Sequence, residues 1–132
     1  MSLVEIHARL ANTGTLFIGF IGIWALFFRF RNRPLDASWY GAALIGELLL
    51  VAQALLGAYL YYGVGLGVAL PRPFMHLLYG VVSIITIPAA QSYFGQLEDE
   101  KVKAVAMAVA CLFLWGILLR AAQVAQYPGP TL

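Results

Sequence analysis

Only two histidines, His7 and His76, occur in this chain of 132 residues. Imidazole is the commonest metal-binding side chain near neutral pH, and two of them facing each other across a helical core can supply both axial ligands of a heme iron. Their spacing suits that chemistry. His7 falls about four residues inside the start of one apolar helix and His76 about three inside another. At a rise of about 1.5 Å per residue, both lie roughly 5 to 7 Å below the same membrane face. A histidine near a helix end is also often a plain interfacial side chain, but two at one depth, with no third in the chain, favour a ligand pair.

The neighbouring residues suit a flat macrocycle. Gly80 follows His76 by one helical turn, Gly14 follows His7 by two, and Gly57 lies on the second helix in the same half, so all three can leave room for a porphyrin. Small residues in membrane helices serve close helix packing as well. Phe17, Phe74, Tyr61 and Met75 are candidates for the macrocycle edges. Arg120, on the last helix at a similar depth, is the first candidate partner for a heme propionate, with Arg9 and Arg72 as others. Snorkelling outward or pairing with Glu5 are its alternative roles. The expected cofactor is one non-covalent heme b per chain, because no Cys-x-x-Cys-His stretch is present for covalent attachment. Two filled axial positions favour electron transfer over chemistry on a bound substrate.

Such a site has to be held by membrane helices. With 62% hydrophobic and 11% charged residues, the chain has too little polar surface to coat a water-soluble globule of its size. A bilayer core of about 30 Å needs about 20 apolar residues per crossing, so the length admits four crossings and no separate soluble domain. They are expected over 3–28, 39–62, 73–94 and 102–126, as an all-α, integral membrane, up-down-up-down four-helix bundle. Ser2 and Glu5 form a capping box at the first start. Glu5, His7 and Arg9 precede the apolar run, which argues against a cleaved secretory signal. Arg29, Arg31, Arg33, Pro34 and Asp36 break the first helix. Pro73 suits the first position of the third helix, and Pro88 is expected to kink its far end. Helices one and three then run parallel and occupy diagonal corners, which sets their histidines face to face.

Five of the eight lysines and arginines (Arg29, Arg31, Arg33, Lys101 and Lys103) flank the loops after helices one and three. By the cytoplasmic bias of such residues, both termini face the non-cytoplasmic side of a bacterial-type inner membrane or its equivalent. Trp39, Tyr40, Tyr61, Tyr62, Tyr93 and Tyr127 fall at helix ends, where amphipathic rings favour the interface. The net charge of +2 is too small and too scattered for a nucleic-acid surface.

Three other features admit chemistry. Glu47, near the middle of helix two, is expensive to place in lipid and so a functional candidate. Its structural role is to stay protonated and bond Thr13, Thr15 or Ser83; its functional one is proton handling or a quinone contact. The glycine-rich run Gly63 to Gly67 follows no strand and lacks nucleotide-loop spacing, so it reads as a flexible turn. Cys111 lies in an apolar run and reads as a buried structural thiol.

The run Gln53, Ala54, Leu55, Leu56, Gly57, then a glycine-containing loop, a proline and His76-Leu77, resembles one half of the heme A synthase family. There a Q-x-x-x-G helix sits between two histidine-bearing helices, and His7 and His76 match the paired positions. The resemblance covers roughly residues 5 to 85 and implies a heme b held by these two histidines. The chain has one four-helix unit where the family has two, Ala8 separates His7 from Arg9, and Glu5 stands at another spacing than the family's acidic residue. Heme modification therefore does not carry over. The leading expectation is a membrane b-type cytochrome near the outer face, serving a larger respiratory or photosynthetic redox complex or quinone. The alternatives are a cofactor-free accessory or assembly subunit docked through glycine-rich helix faces, and an ion conduit centred on Glu47.

Overall fold

The computed structural model describes residues 1–126 and is built from four long helices: α1 (Leu3–Phe30), α2 (Ala37–Ala58), α3 (Pro73–Phe94) and α4 (Glu100–Gln126). α2 is prolonged by a π-helical turn, Tyr59–Gly63, and followed by a 3₁₀ turn, Leu66–Ala69. All four helices are long and apolar enough to cross a membrane. Their outer faces display Leu16, Phe20, Ile23, Phe27, Leu44, Leu48, Leu55 and Phe113, all more than half exposed. A surface of that kind is stable in lipid and not in water. The fold is an all-α four-helix membrane bundle.

Capping residues set the helix ends. Ser2 accepts from the Glu5 amide at 3.1 Å, which is the first bond of the expected capping box. α1 runs on to Phe30 because its stop is a left-handed turn at Asn32 (φ 54) rather than the arginine cluster. There Arg33 N–H reaches Phe28 O and Asn32 N–H reaches Arg29 O, the paired bonds that satisfy a helix's last carbonyls. Asp36 then caps α2 through the Trp39 amide at 3.0 Å. Asp99 caps α4 through the Lys101 amide at 2.9 Å. These two aspartates start α2 and α4 two residues earlier than periodicity suggests.

α1 packs on α2 and α4, and α3 packs on α4 and more lightly on α2. The bundle is therefore up-down-up-down, with α1 and α3 on a diagonal. Its packed core lies in the half nearest the α1–α2 and α3–α4 links. Ile18, Ile21, Trp39, Met107, Cys111 and Leu114 are the largest fully enclosed side chains there. Trp39 is wholly buried, and its indole N–H donates to Ile21 O at 2.9 Å. It is thus a core residue locking α2 onto α1, not part of an interfacial belt, because Ile21 offers its one polar atom a partner inside the bundle. Cys111 is buried and unpaired. Tyr127 lies outside the described residues.

The glycine-rich link forms short helical turns. Val64 N–H reaches back five residues to Tyr59 O, and Gly65 takes the left-handed conformation (φ 84) that other residues adopt at a cost. A Cβ on Gly67 would stand 2.8 Å from the Tyr61 ring, so Tyr61 folds over the link.

Candidate functional site

The two imidazoles meet at the end of the bundle opposite the packed core. Their ring centres are 6.2 Å apart and their planes are inclined at 79°. Each ring is placed by a different helix pair. His7 leans from α1 onto α2, where a Cβ on Gly57 would lie 2.9 Å from His7 Cε1. The glycine thus makes room for the histidine ring itself, and any residue with a side chain would push that ring away. His76 turns from α3 toward α4, with Nδ1 2.9 Å from Ala121 O. A carbonyl only accepts, so His76 Nδ1 carries the proton and donates, which leaves the Nε2 lone pair free.

Gln53 lies one turn before Gly57 and donates from Nε2 to His7 O at 2.7 Å. Two buried polar atoms here lack partners, His7 Nδ1 and Gln53 Oε1. Buried polar groups are nearly always paired, so each of these two atoms calls for a partner.

The other residues singled out from sequence divide into those near the pair and those away from it. Arg72, the residue capping α3, is half-buried and stands one turn before His76, whose amide bonds Arg72 O at 3.0 Å. Arg120 adjoins Ala121, the carbonyl partner of His76, but is exposed and donates to Gln123 Oε1 at 3.1 Å on its own helix. It forms no ion pair with Glu5: among the described residues the one salt bridge is Lys103–Glu100. Arg9 is exposed and, two residues beyond His7, stands about 200° round the helix from it. It faces away from His76.

Among the small residues, Gly80 has open space where a side chain would be, whereas Gly14 is buried with Leu50 Cδ2 3.5 Å from its would-be Cβ. Gly14 therefore serves α1–α2 packing. Phe17 lies against Gly46, 3.2 Å from the position of a Cβ there, about 16.5 Å along α2 from Gly57 by helical rise. It is too deep to edge a group held between the histidines. Phe74 is 69% exposed and points outward. The Glu47 Oε2 atom is buried without a partner. Of its expected partners, Thr15 donates to Ala11 O at 2.7 Å and Ser83 to Gly80 O at 2.6 Å, each within its own helix. Helical hydroxyls have their own i−3 or i−4 carbonyl closest to hand.

Among the described residues, no cluster of three or more His, Cys, Asp or Glu can hold a bare metal ion. Compared with known protein families, curated proteins and solved structures, the chain matches none.

Proposed function

We propose that the chain is a small membrane cytochrome that holds one heme b between His7 and His76. The observation that carries this reading is the 6.2 Å separation of the only two imidazoles. An imidazole nitrogen binds a transition metal at about 2.0 Å with its ring centre about 1.1 Å behind, so two axial rings on one iron have centres about 6.2 Å apart. The 79° between the planes is compatible, since each ring can rotate about its own metal–nitrogen bond. The Ala121 carbonyl supports the same role for His76, because it holds Nδ1 and turns Nε2 into the ligating atom.

The bound heme supplies a one-electron couple. The residues would do the rest: His7 and His76 would hold the group and leave no open ligand position, Gly57 admits the His7 ring, and the surrounding apolar helices would keep water away. Arg72 is the best-placed cation for a propionate. Arg9, Arg72 and Arg120 lie at the histidine end and the other five basic residues at the opposite end. This arrangement supports termini and heme on the non-cytoplasmic side, where the heme exchanges electrons with a redox complex or quinone.

The test is the visible spectrum of detergent-purified protein. Sharp reduced-form bands are expected, lost in both His7→Ala and His76→Ala. A colourless protein, or bands unchanged by either substitution, contradicts the proposal. A second reading, a cofactor-free accessory subunit, is favoured by one feature: an apolar groove of about 730 Å³ between α3 and α4, floored by Ala89, Ala90, Ala106 and Ala110. Colourless protein that co-purifies with a larger complex would support it.

A further inference from the structure

We propose that Gln53 is the positioning residue of His7, one amide gripping both the main chain and the ring of the same histidine. The inference rests on the ligand role of His7 given above. Gln53 Nε2 already donates to His7 O at 2.7 Å, which fixes the amide beside the residue whose ring must be aimed. The two atoms left over on this pair, Gln53 Oε1 and His7 Nδ1, are both buried and both unpartnered.

They are of complementary kinds. Gln53 Oε1 can only accept, and Nδ1 is a donor in one of the two neutral imidazole tautomers. Paired with each other, they would satisfy both atoms. That bond selects the Nδ1–H tautomer and leaves His7 Nε2 bare, the state that Ala121 O imposes on His76 from the other side. Gly57, one turn on, keeps the ring within reach, since a Cβ there would stand 2.9 Å from Cε1, the atom between the two nitrogens. An amide is the side chain that can do both tasks at once. A carboxylate would accept from Nδ1 but oppose the His7 carbonyl, and leucine would do neither. The two ligands are thus oriented by unlike means, His76 by a main-chain carbonyl and His7 by a replaceable side chain.

The test reads the tautomer directly, with or without heme. Protein labelled with ¹⁵N-histidine, purified in detergent and kept reduced, is compared by NMR as wild type, Gln53→Leu and Gln53→Glu, with His7→Ala assigning the signals. His7 is expected as the Nδ1–H tautomer in wild type, to lose that preference in Gln53→Leu, and to regain it in Gln53→Glu. Ala121 is untouched, so His76 stays Nδ1–H throughout. In heme-loaded protein, Gln53→Leu is expected to weaken heme binding about 10- to 100-fold, the usual effect of losing such a partner. It is also expected to raise the midpoint potential, whereas Gln53→Glu lowers it. Finding His7 as Nε2–H in wild type, or a tautomer indifferent to Gln53→Leu, overturns the role of Gln53 while leaving the heme reading intact. A colourless wild type with the expected tautomer pattern does the reverse.

Discussion

The two ends of this bundle are built on opposite principles. At the end that carries the α1–α2 and α3–α4 links, Trp39, Ile21, Met107 and Cys111 are fully enclosed and the indole N–H has its partner. At the histidine end few large side chains are enclosed, Leu60 and Val124 among them, and the unpaired buried atoms of His7 and Gln53 lie there. The difference teaches where fold and chemistry reside. One end closes the four helices on one another by apolar packing, which leaves the other free to hold polar groups that packing alone would not retain.

The sharpest way to break this comparison is to remove a ligand. His76→Ala is expected to abolish heme absorbance while the protein stays folded, since the packed core lies at the other end of the bundle; loss of fold, seen as collapse of the helical circular dichroism in detergent, would show that the two ends are not separable. Next in size is Trp39→Ala. It removes the largest core side chain and is expected to cost about 3–5 kcal/mol, read by denaturant or thermal unfolding, with heme bands unshifted in the protein that remains folded. Gly57→Val acts at the other end. Its added atoms meet the His7 ring and are expected to cost about 1–3 kcal/mol together with measurable loss of heme, whereas Gly80→Ala, which enters open space, should be nearly silent in both assays. Smallest is Lys103→Ala, which breaks the Lys103–Glu100 pair at 3.3 Å. A partly exposed helix pair is worth at most about 1 kcal/mol, and no spectral change is expected.

The helices were legible because the chain's hydropathy and its breakers agree. Their ends were less so, because a cap such as Asp36 or Asp99 and a left-handed Asn32 look like loop residues until the amides they satisfy are in view. Trp39 shows the limit of composition: an aromatic ring at a helix end suits an interface, and only the Ile21 carbonyl across the bundle makes the interior better. The histidine pair could be read from depth alone, since periodicity fixes height. Rotation about the helix axis decided the rest. Arg9, two residues from His7, faces away from His76. The Ala121 carbonyl could not have been found at all, because a main-chain acceptor has no signature in residue type. Gln53 stood out only as part of a short motif; its task emerges from a 2.7 Å bond to the residue 46 positions earlier.

The most direct test of the account is a pyridine hemochrome assay of the purified chain, paired with low-temperature EPR of its oxidised form. One heme b per chain with a low-spin iron signal is the expected result, as two axial imidazoles require. Absence of heme, or a high-spin iron with an open position, would contradict the clamp of His7 and His76.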